Sequence, residues 1–254
     1  NDKYNLLGNP YPSAVDAQAF LTDPVNTPVI DGTIYFWTHN SAPSTTYLDP
    51  FYQDFVINYT DSDYASWNSL GAVGSRGSVA SSGGFTPNGI IATGQGFFTK
   101  STGNAPSGNT VIFKNTMRVS DSNAHFFRAS ATRGNNSRTN EIEKQRIWLN
   151  LLAHTGVFNQ ILVGYVDGAT EGWDRDYDGV RFTDAGSATF YSVIPDRDLV
   201  IQGRAPFSTE DRVALGFKAT VQDIFSLRID HFDDAFENQN VYIEDTFLNI
   251  IHDL

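Results

Sequence analysis

The stretch Arg146-Ile147-Trp148-Leu149-Asn150-Leu151, the turn His154-Thr155-Gly156, and the following Phe158-Asn159-Gln160-Ile161-Leu162-Val163-Gly164-Tyr165 decide the fold. Both runs alternate with the period of two that a pleated strand imposes. The glycine-containing turn between them makes an antiparallel hairpin. Further strands are expected downstream at Phe190 to Ile194, Leu199 to Arg204, Arg212 to Ala219, Phe225 to Asp230 and Asn240 to Asp245. Short strands at such even spacing predict an all-β protein built as a β-sandwich, Ig-like or jelly-roll-like.

The same reading extends upstream. Thr33-Ile34-Tyr35-Phe36-Trp37-Thr38 reads as a buried strand. Phe51 to Tyr59 is a second apolar run, either strand or packed loop, and residues 71 to 89 read as an exposed Gly/Ser loop. Ile90 to Lys100 reads as strand, glycine kink and strand. The turn residues Ser101 to Asn109 then lead to a return strand at Thr110 to Phe113, which would complete a hairpin. Near the start, Asn9-Pro10-Tyr11-Pro12 is a rigid turn after the apolar run Tyr4 to Gly8. Ser13 is expected to cap a short helix reaching Phe20-Leu21, which Asp23-Pro24 ends. Residues 128 to 144 are polar and poor in aliphatics, as a loop or linker would be. The chain therefore divides into an N-terminal β domain at 1–127, a linker at 128–144 and a C-terminal β-sandwich domain at 145–254. One large two-part β unit would give the same spacing.

Composition narrows the function. With 254 residues, 40% of them hydrophobic, a sizeable core forms without covalent staples. The formal net charge of -12 repels phosphate backbones, which argues against a nucleic-acid partner. No run reaches the length of a membrane helix, so no membrane insertion is expected. Absence of cysteine excludes disulfides, thiolate metal sites and a cysteine nucleophile. Extracellular domains without disulfides fit a bacterial source best.

Candidate chemistry concentrates at Glu171-Gly172-Trp173-Asp174-Arg175-Asp176-Tyr177-Asp178-Gly179. Asp174, Asp176 and Asp178 stand at alternate positions before a glycine, as in the first half of an EF-hand loop, and would wrap one Ca²⁺. The bidentate glutamate of that motif is missing, since Ala185 occupies its place, and Arg175 brings a positive charge inside the loop. An Asp-rich turn with solvated charges is the plain alternative. Trp67, Trp173 and Tyr177 lie in polar segments and are the candidate rings for stacking on sugars, against a structural role for each. Trp37 and Trp148 sit in apolar strands and read as core. No nucleophile elbow, phosphate loop, dinucleotide fingerprint or His-Glu-x-x-His motif occurs, so no catalytic residue is assigned.

An ordered set of phrases carries a resemblance: YNLLGNPYPSAVDAQAFL, GQGFFTK, VIFKNTMR, RIWLNLL, FNQILVGYVDGATEGWDRDYDG, YSVI, LVIQGR and VYIEDTFLNIIHDL. It resembles the region before the C-terminal sorting domain in large Bacteroidota surface proteins exported by the type IX secretion system. The likeness spans Tyr4 to Leu254. It implies a secreted, cell-surface location and the type IX secretion machinery as a partner during export. It also implies a place in adhesins or in proteins of gliding motility or polysaccharide use, with a sorting domain expected beyond Leu254. The resemblance brings no catalytic residues. The leading expectation is a structural or adhesive β module, with surface glycans as partners. The alternative is a carbohydrate-binding module of a polysaccharide-degrading protein.

Overall fold

The computed structural model describes residues 3–38, 45, 63–75, 86–103, 110–120, 122, 143–154, 156–182 and 188–254. The run Phe51 to Tyr59, the Gly/Ser-rich residues 76–85 and residues 128–142 of the expected linker lie outside them.

The all-β expectation holds. In chain order the first half contributes β1 (Tyr4–Gly8), β2 (Val15–Asp16), α1 (Ala17–Leu21), β3 (Ile30–Trp37), β4 (Tyr64–Trp67), β5 (Ala72–Val73), β6 (Ile90–Ile91) and β7 (Gly96–Ser101). The second half contributes β8 (Lys144–Ala153), β9 (Phe158–Val166), β10 (Gly179–Val180), β11 (Ala188–Ile194), β12 (Arg197–Arg204), β13 (Leu215–Ala219), β14 (Phe225–Phe232), β15 (Tyr242–Asp245) and β16 (Ile250–Asp253). A five-stranded antiparallel sheet runs β1-β7-β3-β4-β5. A seven-stranded sheet runs β13-β11-β12-β9-β8-β14, with β10 joined to β12. The second sheet is mixed, because β12 runs parallel to β9 from Ile201↔Leu162 to Arg204↔Tyr165. The sheets of an Ig-like domain are antiparallel.

The deciding hairpin forms as read, with Trp148 opposite Leu162 and Leu151 opposite Asn159. Its alternation separates two buried faces rather than a core face from a wet one. Ile147, Leu149, Leu151, Ile161 and Val163 pack with Phe190 and Phe236 on one side. Trp148 and Leu162 pack on the other side against Leu70 and Val73 from the first half. The two halves therefore share a hydrophobic cluster. Trp148 Nε1 also donates to the Ala72 carbonyl at 2.8 Å.

Three local expectations are corrected. The helix is capped by Asp16, whose carboxylate accepts from the Ala19 N–H at 3.1 Å. Ser13 instead accepts from Arg118 Nε at 2.7 Å. Thr110 to Phe113 is not a strand, because the Asn26 side chain takes both the Ile112 N–H and its carbonyl, at 2.8 and 2.9 Å. β7 pairs instead with β1 and β3. Trp37, read as core, lies at the end of β3 with over a third of its surface exposed.

Candidate functional site: the acidic loop and the joint between the halves

The loop after β9 is closed by its own backbone. The N–H groups of Tyr177 and Asp178 both donate to the Asp174 carbonyl, at 3.0 and 2.8 Å. That turn sends the three aspartates in different directions. Asp174 Oδ2 accepts from the Thr170 N–H at 2.5 Å and from its hydroxyl at 2.9 Å. Asp176, half-exposed, pairs with the neighbouring Arg175. Asp178 is fully buried and accepts from the Asp174 N–H at 2.7 Å and the Gly203 N–H at 2.8 Å. Glu171 pairs with Arg204, which also holds Asp211 through two bonds. The carboxylates thus bond to separate partners within the chain. Among the described residues no three His, Cys, Asp or Glu side chains are grouped to hold a metal ion. These bonds give the loop the geometry of a hydrogen-bonded turn.

Arg175 pairs with Asp176 through Nη1 and extends its other two nitrogens into the first half. Its Nε donates to the Ile30 carbonyl at 3.0 Å and Nη2 to the Leu21 carbonyl at 2.9 Å. It thereby satisfies the end of α1 and the start of β3 from a residue 145 or more positions away. β3 answers in the same direction. The Thr33 hydroxyl donates to the Asp178 carbonyl at 3.2 Å and the Tyr35 hydroxyl to the Val180 carbonyl at 2.9 Å. On β1, the Tyr4 hydroxyl reaches the Arg181 carbonyl at 3.0 Å. Around these bonds Phe182 meets Tyr4, Tyr35, Tyr64 and Phe98 in a ring cluster, with Tyr64 stacked on it at 4.0 Å. Gly32 is required here, since a Cβ on it would stand 2.0 Å from the Arg175 carbonyl oxygen.

Two buried carboxyls flank this joint. Asp31 accepts from the Thr33 N–H at 3.3 Å, and burial pushes its carboxyl up to about 7 despite Lys100 and Arg175 nearby. Burial likewise pushes Asp178 up to about 7, against the pull of its two backbone donors. Desolvation outweighs hydrogen bonding at both sites. Burial also raises the Tyr35 hydroxyl well above the usual tyrosine range, with Asp31 adding to the shift.

The three candidate stacking rings do not form one open platform. Trp67 is on β4, packs on the cluster around α1, and lies so close to Gly89 that a Cβ there would stand 2.6 Å from the ring. Trp173 packs against Val180, Ile194 and Leu199, and the Arg197 guanidinium lies over its ring at 4.2 Å. Tyr177 packs on the cluster containing Trp148 and Ile201, and its Cβ would stand 2.4 Å from a Cβ built on Gly203. Each ring has a packing partner of its own.

Sequence reasoning passed over Asp31 and Gly32, took Tyr35 and Tyr4 only as members of apolar runs, and placed Arg175 inside the acidic loop. One signal was present: Asp31-Gly32 interrupts the apolar run Val29 to Trp37, and a carboxylate inside a buried strand is costly without a structural reason.

The full length of the chain, residues 1–254, matches the family model described as Domain of unknown function (DUF8693). The chain belongs to this family. Neither the curated proteins nor the solved structures yield a match to this DUF8693 member.

Proposed function

We propose that this DUF8693 chain is a structural or adhesive β module of a secreted cell-surface protein exported by the type IX secretion system. The observation that carries the reading is the joint. Arg175, Thr33, Tyr35, Tyr4 and Trp148 each bond to backbone across the two halves, and a shared apolar cluster closes around them. Bonds of this kind suit a stiff spacer that bears load, because the two halves cannot separate without exposing buried polar groups. The ordered phrases of the sequence support a place outside the cell. In this reading, surface glycans meet the loops rather than the sheets. The carbohydrate-binding alternative is less favoured, because Arg197 covers the Trp173 ring and Trp67 packs in a different cluster. Stiffness here comes from the joint and does not depend on Ca²⁺ at Asp174, Asp176 and Asp178.

The test is export and display. Residues 1–254 fused to a type IX sorting domain should appear on the surface of a Bacteroidota host, open to added protease, and should raise attachment to glycan-coated surfaces. Display without any gain in attachment would leave a spacer and remove adhesion. Failure of export while a control cargo is displayed would overturn the reading.

A further inference from the structure

β9 pairs with β12 only from Leu162↔Ile201 onward. Its first residues, Phe158 to Gln160, pair with β8 on their other edge. Where β9 and β12 diverge, a cleft with about 510 Å³ of empty space, part of it open to solvent, enters the joint between the halves. It lies at the loop end of the joint. Phe158 opens β9 just after its turn, Gly74 follows β5, and Arg181 and Phe182 follow β10.

The lining combines fixed walls with unused bonding groups. Tyr64 and Phe182 are stacked on each other at 4.0 Å. Gln160 Oε1 accepts from the Gly74 N–H at 2.9 Å, and its Nε2 donates to Asn150 Oδ1 at 2.9 Å. These groups are spoken for and set the shape. Three others are not. Phe158 is partly buried, belongs to none of the hydrophobic clusters, and meets no other ring among the described residues. Ser66 is only 3% exposed, yet no described group bonds to its hydroxyl. Asn159 uses an amide N–H on the Ala188 carbonyl at 3.2 Å, and its own carbonyl oxygen has no described donor. A buried hydroxyl left without a partner costs free energy that a bonded ligand returns.

Charge narrows the ligand. Among the described residues, no Asp or Glu lines the cleft, so an amine would find no counter-ion there. Arg181, the one charged residue in the described lining, is already engaged within the chain. An anion would also approach against a net charge of -12. A neutral molecule with hydroxyls along its edge and an apolar face fits a ring, a hydroxyl and an amide set around one cleft.

We propose that this cleft binds the terminal neutral pyranose of a glycan. The sugar's C–H face stacks on Phe158, and its hydroxyls bond to Ser66 and Asn159. This deepens the adhesive part of the module reading, on which it rests for the source of the sugar.

The test uses the whole chain and the methyl pyranosides of glucose, galactose and mannose, followed by saturation-transfer NMR and titration. At least one should bind saturably, with transfer strongest at the C–H protons of one ring face. Phe158→Ala should weaken that binding about tenfold. Ser66→Ala should weaken it about threefold, and it carries the test if Phe158→Ala does not fold. Leu6→Ser, at an exposed leucine on β1, should leave it unchanged. Methyl glucuronide should bind more weakly than the neutral sugars. No binding by any of the three, binding unchanged by the cleft variants, or equal binding of the glucuronide would each overturn the proposal. Display of the sorting-domain fusion does not depend on the cleft. Display without sugar binding therefore overturns this proposal alone, and sugar binding without display overturns the export reading alone.

Discussion

The joint between the halves and the C-terminal β15–β16 hairpin treat the same side-chain types in opposite ways. At the joint, two aspartates and a guanidinium are drawn inside, where backbone groups and aromatic rings surround them. At the hairpin, isoleucines and a phenylalanine are held out in solvent by an aspartate that caps their turn. Burying a carboxyl costs free energy, and exposing large apolar groups forgoes it. The joint's departure from the ordinary arrangement holds two sheets in register, and the hairpin's leaves apolar side chains outside the core.

Changes at the joint should cost much more than changes at the hairpin. Trp148→Ala should be the most severe. It opens a cavity between the halves and leaves the Ala72 carbonyl unbonded, at a cost of about 3–5 kcal/mol in denaturant unfolding. Arg175→Met should follow, at about 2–3 kcal/mol, since two carbonyls at Ile30 and Leu21 lose a charged donor. Asp176→Ala should cost under about 1 kcal/mol, because its half-exposed pair with Arg175 is largely screened. Millimolar Ca²⁺ should leave the melting temperature unchanged, since the three carboxylates already have separate partners. A rise abolished by Asp176→Ala would instead show that they rearrange around an ion. Phe247→Ser should be the mildest, within about 0.5 kcal/mol of the parent.

The pH dependence sharpens the comparison. The Asp31 and Asp178 carboxyls are raised from 3.8 to about 7, so between those values the folded chain holds protons the unfolded chain has released. The stability they contribute is complete below 3.8 and lost as pH rises through about 7. Unfolding free energy should therefore fall from pH 5 to pH 8. Asp31→Asn, which has no proton to lose, should flatten that slope. An unchanged slope would mean that Asp31 does not titrate in this window.

What was legible in the sequence was local. The Arg146 to Tyr165 hairpin carries its own period and its own turn, so neighbours in sequence decide it. The cap went to Asp16 rather than Ser13 because Arg118, 105 residues away, claims the serine hydroxyl. Thr110 to Phe113 has strand composition, yet the side chain of Asn26 takes its backbone groups. The acidic loop was legible in the sequence but its internal partners were not, since spacing alone does not show that Asp178 turns inward to Gly203 while Asp176 stays with Arg175. The joint was out of reach for the same reason: its bonds link residues about 145 positions apart.

A joint of this kind should make the two halves one cooperative unit. Calorimetry of the whole chain, set beside tryptophan fluorescence, tests it most directly. A single transition is expected, with matching calorimetric and van't Hoff enthalpies and a coincident optical midpoint. Two separate calorimetric transitions, with a calorimetric enthalpy well above the van't Hoff value, would contradict it.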